Sequence, residues 1–280
     1  MAELAPQRAC ALTGLAGRSD AIKRLVIFDL DGTLAASKQS IDSEMGALLA
    51  ELLNIRLVAV ISGGDWPQFE RQLLALLPAS ARLENLLLMP TSGTKFYRFQ
   101  KSWQRVYADL LSAEERSTIL VALNKAIAEA GLADERLWGE RIEDRGSQIT
   151  YSGLGQQAPS PEKADWDPDR QKRSRIKRIL DRNIANVAVR IGGSTSIDIT
   201  KPGIDKSFGM RKLVDFTGFK IEEMLFIGDA LYPGGNDAPV RDAGVATIAV
   251  RDIGETRLVI ETLLRVFGAV PLSVPEPRLA

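Results

Sequence analysis

Histidine is absent from this chain of 280 residues. With it go imidazole-based catalytic triads and histidine-ligated metal sites, so acid and base work falls to carboxylates, lysine, tyrosine or a thiol. The only thiol is Cys10, which excludes an intrachain disulfide and a cysteine-built zinc site and fits a reducing compartment. No run approaches the roughly 18 apolar residues of a membrane span. The opening MAELAPQRACALTGLAGRSD also lacks a basic stretch followed by a continuous apolar one. A cytoplasmic protein without a membrane partner is expected, with residues 1–22 as a loosely structured lead-in. Charge of one sign is not in excess either: 36 Lys+Arg balance 36 Asp+Glu, so no overall field favours nucleic acid.

What is present is a 45% hydrophobic, 26% charged composition, enough to bury a core. Leu25-Val-Ile-Phe28, Ile55 to Ile61 and Leu86 to Met89 read as short buried strands. Between the first two, Asp42 caps a helical pattern of Met45, Leu48, Leu49 and Leu52, and a further helix spans about 67–77. Buried strands alternating with helices predict parallel βαβ units. From about Thr91 the texture changes to alternation, in 94–99, 103–107, 141–144 and 147–152, with a long helix near 113–130 and a basic helix over 167–183. Alternation predicts an antiparallel sheet with one face covered. Buried strands return at 224–227 and 245–250, with helices near 207–216 and 255–266. The predicted fold is α/β: a Rossmann-like parallel-sheet core over 23–91 and 195–280, carrying an inserted α+β domain over 92–194.

In open parallel sheets ligands bind beyond the carboxyl ends of the strands. Polar groups follow the buried strands here: Asp29-Leu-Asp-Gly-Thr33, Ser62-Gly63-Gly64, and Gly228-Asp229 with Asn236-Asp237; Asp205-Lys206 precedes a helix. Asp29 and Asp31 are two apart and share one side of an extended chain. Two bare carboxylates so close repel unless a cation sits between them. Mg²⁺ suits such a place, being hard and content with one or two carboxylates plus phosphate oxygens. Alone, DLDGT could be a solvated turn. A calcium loop fits less well, because Gly32 falls at its fourth position and no glutamate at its twelfth.

In order, Asp29-Leu-Asp-Gly-Thr33, Ser62, Lys206 and Gly228-Asp229 with Asn236-Asp237 resemble the four motifs of the haloacid dehalogenase superfamily of phosphoryl-transfer enzymes. The resemblance implies Asp29 as nucleophile, Asp31 as general acid/base, and Ser62, Gly63 and Lys206 as phosphate holders. It places Mg²⁺ on Asp29, Asp229 and the carbonyl of Asp31, with Asn236 and Asp237 supporting the metal shell. An aspartate nucleophile is credible when metal and lysine neutralise the incoming dianion.

The insertion sits where the branch with a large α+β cap carries one, and the chain resembles eukaryotic-type phosphomannomutases within it. FDLDGTLAASKQSI, with Lys38, is similar to their opening motif, and Ile61-Ser-Gly-Gly-Asp65 to their second. IEDRGSQITYSGLG, from Ile142, aligns Arg145 with a phosphate-binding arginine. GGSTSIDI, from Gly192, aligns Ser196 and Asp198 with residues that contact sugar hydroxyls. A small sugar phosphate is the implied partner, and the resemblance leaves room for a homodimer through the cap. Where a second cap arginine is expected stands Gln156, and where a third is expected, Lys163. A neutral amide and a lysine cannot reproduce arginine's bidentate fork. The cradle for a doubly phosphorylated sugar is therefore weakened, and a sugar-phosphate phosphatase is the expected activity. The alternative is a mutase interconverting hexose 1- and 6-phosphates. A dinucleotide-binding protein is disfavoured because no GxGxxG follows the first strand. A non-catalytic sugar-phosphate binder is disfavoured because both catalytic-type aspartates are kept.

Overall fold

The computed structural model of the protein describes residues 23–268, so the lead-in expected over 1–22 lies outside the described residues. The chain begins with β1 (Leu25–Asp29), α1 (Ser43–Leu53), β2 (Leu57–Ile61), α2 (Trp66–Gln72), β3 (Leu86–Met89), β4 (Lys95–Phe99) and β5 (Trp103–Ala108). It continues through α3 (Ala113–Glu129), β6 (Ile142–Asp144), β7 (Gln148–Ser152), α4 (Ser160–Trp166), α5 (Gln171–Asn183), β8 (Ala188–Gly192) and β9 (Ser196–Thr200). The last described elements are α6 (Lys206–Thr217), β10 (Met224–Gly228), α7 (Ala238–Asp242), β11 (Ala246–Ala249) and α8 (Ile253–Gly268).

β1, β2, β3 and β10 are buried along their whole length, as strands covered on both faces must be. They lie in a seven-stranded sheet of order β11-β10-β1-β2-β3-β4-β5, parallel from β11 to β3. Successive residues of β1 serve opposite faces: Val26 and Phe28 pack into a cluster with Leu49, Leu53, Val259 and Leu263, whereas Leu25 and Ile27 join Met210 and Leu213. The helices on these faces start at acceptor side chains. Asp42 caps α1 by accepting from Met45 N at 2.9 Å, and Asp205 caps α6 by accepting from Ser207 N at 2.9 Å.

The second compact unit, Ala108–Ile204, has its own sheet of order β6-β7-β9-β8, antiparallel throughout. Its apolar face, with Ile149, Tyr151, Ile197 and Ile199, packs in one cluster with Leu123 and Ile127 of α3 and Ile176 and Leu180 of α5.

The fold class is the one expected, but the expected domain boundaries need correction. The division falls at 107/108 and 204/205, not at 91/92 and 194/195. The alternating strands β4 and β5 extend the first sheet, β4 antiparallel to β3 with Leu88 opposite Tyr97, while β9 pairs with β7 and β8 in the second. Alternation reports one exposed face; it does not say which sheet a strand joins. The helix expected over 167–183 begins only at Gln171, and Ser160–Trp166 forms a separate helix before it. Arg170 turns left-handed at φ 62° after Pro168, and Asp167 restarts the helix by accepting from Lys172 N at 2.9 Å and Arg173 N at 3.1 Å.

Candidate active site

Three parallel strands end side by side, which is what collects the site. Asp29 stands opposite Ile61, so Ser62 lies one residue beyond it on the next strand, and Phe28 stands opposite Ile227, which puts Asp229 just past the end of β10. Gly32 closes the turn after β1 at φ 93°, and a Cβ there would meet Asp229 Oδ2 at 2.6 Å. Only glycine permits both the dihedral and the approach. Thr33 Oγ1 donates to Asp229 Oδ1 at 3.1 Å and aims that carboxylate.

Lys206, the first residue of α6, is 2% exposed and donates through Nζ to Asp29 Oδ1 and, at 2.5 Å, to Asp237 Oδ1. Asp237 is wholly buried, and its second oxygen accepts from Ala230 N at 3.0 Å. Oxygens of Asp29, Asp229 and Asp237 come within 4.8 Å of one another. Burial pushes the Asp29 carboxyl well above the ordinary range; Lys206 opposes this, and the nearby charges of Asp237 and Asp229 add to it. Asp229 is raised by burial and then by Asp237. For Lys206 burial works against the charge, yet Asp237 and Asp29 outweigh it and raise its pKa. One buried ammonium thus faces two buried carboxylates and the half-buried Asp229, an arrangement short of positive charge. The donor set, hard oxygens with one lysine already engaged, fits a divalent cation that makes up the deficit.

The other core residues sit around this cluster. Ser62 is buried at the end of β2, and its Oγ accepts from Gly64 N at 3.1 Å; Gly63 is half-buried beside it. The Asp31 carboxylate is not among the three clustered ones. It accepts from Gln68 Nε2 at 2.7 Å and from Lys38 N at 2.6 Å. Lys38 therefore meets the site first through its backbone. Asn236 is exposed, while Asp237 turns inward to the lysine. Asp237 anchors Lys206 and also belongs to the carboxylate cluster.

In the second unit, the strand register lines up Glu143, Thr150, Asp198 and Arg190 across the sheet. This is the polar face, opposite the one that carries Ile149 and Tyr151. Asp198 Oδ1 accepts from Gln148 Nε2 and Thr150 Oγ1, both at 2.8 Å. Ser196, two residues from Asp198, shares the face opposite Ser152. Arg145 is 8% exposed and donates to Glu143 Oε2 at 2.6 Å. Gln156 follows the loop after β7, half-buried, and Lys163 stands on a separate element, α4.

A family model described as eukaryotic phosphomannomutase matches residues 45–265. The chain belongs to the eukaryotic phosphomannomutase family. It is 28% identical over 219 residues to the phosphomannomutase of Saccharomyces cerevisiae, covering 76% of this chain and 83% of that one. It is also 28% identical over 256 residues to a probable phosphomannomutase of Caenorhabditis elegans, covering 87% and 96%. Among solved structures, a Plasmodium falciparum IMP-nucleotidase superposes with a TM-score of 0.65 at 16% identity, covering 91% of this chain and 71% of that one. The Aspergillus fumigatus trehalose-6-phosphate phosphatase superposes with a TM-score of 0.55 at 16% identity, covering 94% and 100%. At such identity these two speak for the fold alone. The family match makes the chain a phosphoryl-transfer enzyme, and its fold is of the haloacid dehalogenase type.

For a member of the phosphomannomutase family, two of the residues that hold this site in place, Gln68 and Gln72, stand outside the motifs legible in the sequence, whereas Thr33, Gln148 and Thr150 lie within those motifs but are not marked out by them. Gln68 and Gln72 both reach Asp31, Thr33 orients Asp229, and Gln148 and Thr150 fix Asp198. One signal was available for the glutamines: their spacing of four puts both amides on one side of a helix that starts shortly after Ser62.

Proposed function

We propose that the protein is a Mg²⁺-dependent phosphomutase that moves a phosphoryl group between two hydroxyls of a hexose by way of a phospho-aspartate at Asp29. The observation that carries the reading is the buried lysine shared by Asp29, at the end of β1, and Asp237, just before α7, with Asp229 beside them past the end of β10. In the first half-reaction an oxygen of Asp29 bonds to phosphorus as the phosphorus–oxygen bond to the sugar breaks, and the departing oxygen takes a proton from Asp31. In the second, another hydroxyl gives its proton to Asp31 and attacks phospho-Asp29, releasing the carboxylate. Ser62, Gly63 and Lys206 hold the phosphoryl oxygens meanwhile. Mg²⁺ held by Asp29, Asp229 and the Asp31 carbonyl would neutralise charge on the transferring group. Arg145 would take a second phosphate and Ser196 and Asp198 the sugar hydroxyls, with Lys38 and Lys163 adding positive charge.

Hydrolysis is the activity expected from Gln156, and family membership weighs against that order of preference. It stays as the second reading because the amide of Gln156 adds no charge where the family resemblance calls for an arginine. Feeding mannose 1-phosphate or glucose 1-phosphate with Mg²⁺ and a catalytic amount of the hexose bisphosphate separates the two. A mutase yields 6-phosphate without free phosphate; stoichiometric phosphate release would establish the hydrolase. Asp29→Asn is expected to lower either activity at least about a thousandfold, since a carboxamide cannot form the phospho-enzyme. Full activity in that variant would remove Asp29 from the chemistry.

A further inference from the structure

The Asp31 side chain is held by a helix and not only by the loop that carries it. Asp65 fixes the start of α2 by accepting from Trp66 N at 2.7 Å, and the spacing of four then presents Gln68 and Gln72 on one side. Gln68 Nε2 donates to Asp31 Oδ2 at 2.7 Å, and the backbone N–H of Lys38 donates to Oδ1 at 2.6 Å. Gln72 Nε2 lies 3.4 Å from the same Oδ1 and donates to Gln39 O at 2.8 Å. Room for the Gln68 amide is built into the chain, because a Cβ on Gly64 would stand 2.0 Å from Gln68 Oε1. Lys38 brings its N–H to Asp31 from a left-handed φ of 59°, a conformation that side-chain-bearing residues adopt only when their surroundings impose it.

We propose that Gln68 is a positioning residue for Asp31, and that by setting where this carboxyl group stands it decides how poor a leaving group the enzyme can expel. The inference rests on the Asp29 and Asp31 chemistry given above, not on a hexose being the substrate. When Asp29 bonds to phosphorus, the electron pair of the breaking bond stays on the departing oxygen. An aryl oxide departs readily without a proton; an alkyl or sugar oxide needs the one Asp31 supplies. Displacing Asp31 therefore penalises only the second class. A residue that merely stabilised the fold would affect both alike.

The test replaces Gln68 by methionine, close in volume and without the amide, and measures kcat/KM across phosphate monoesters from aryl to alkyl at fixed Mg²⁺. Gln68→Met is expected to keep aryl phosphate turnover within about twofold and to lose about a hundredfold on alkyl phosphates, the scale of a misplaced proton donor. The dependence of log rate on leaving-group pKa then steepens, and Gln68→Asn, which retains a shorter amide, recovers part of the loss. Parallel slopes for wild type and Gln68→Met, whether rates fall together or not at all, would overturn the proposal. Because the slopes can be compared on simple monoesters, a wild type inert toward hexose phosphates would reject the hexose substrate and leave the role of Gln68 to be decided by the slopes alone.

Discussion

At Lys206 a single ammonium stands among Asp29, Asp229 and Asp237, and the balance of charge there decides how the site responds to change. Lys206→Met removes the one cation, which for a buried pair costs about 3–5 kcal/mol. The sign with pH follows from the raised carboxyls of Asp29 and Asp229. In the window between ordinary and raised pKa values the folded state binds protons that the unfolded state has released, so stability falls as pH rises. Guanidinium unfolding of Lys206→Met should therefore show a deficit that grows as pH rises above the ordinary carboxylate range and shrinks toward acid; a deficit independent of pH would contradict this charge balance. Tyr151 gives a second titration. It has no solvent exposure, and burial pushes its phenol from 10.0 up to about 12. Between these values the unfolded chain has lost the proton and the folded chain keeps it, so a stability contribution of about 2–3 kcal/mol, complete below pH ~10, disappears as pH rises to ~12. Tyr151→Phe should flatten that alkaline fall in thermal unfolding.

At the scale of elements, the break between α4 and α5 turns on Asp167. Its Oδ2 accepts from Arg173 Nε at 2.7 Å, its oxygens cap α5, and Arg173 also donates to Gly193 O at 2.7 Å. Both side chains of the pair are at most 2% exposed. Asp167→Ala leaves a buried guanidinium without its counter-charge and should cost about 3–5 kcal/mol, read as a lower guanidinium midpoint at unchanged slope. A loss near 1 kcal/mol would reduce Asp167 to a helix cap. The basic stretch 167–183 announced a helix, but not that Arg173 would turn inward. β4 and β5 show a similar limit. Their alternation was legible, and their attachment to β3 depended on a partner that the pattern does not name.

At the scale of the whole molecule, each unit has its own sheet and core, and the carboxylate cluster belongs to the first. Millimolar Mg²⁺ should raise the melting temperature, because a ligand of the folded state adds RT ln(1 + [L]/Kd) to stability. Asp229→Asn should remove most of that rise. An equal rise in Asp229→Asn would place the cation elsewhere. The amino-acid sequence by itself determined the α/β class and the places of Asp29, Ser62 and Asp229 at or just past strand ends, because a buried strand and the polar residue ending it are neighbours in the chain, and that of Lys206 at a helix start, because Asp205 before it is a cap. Tertiary structure alone decided which groups those residues meet. Asp237 reaches Lys206 across 31 positions, and Gln68 reaches Asp31 across 37. Such partnerships arise from the register of parallel strands and the direction of a helix face. Both are set by packing between segments far apart in sequence, and local pattern carries no record of it.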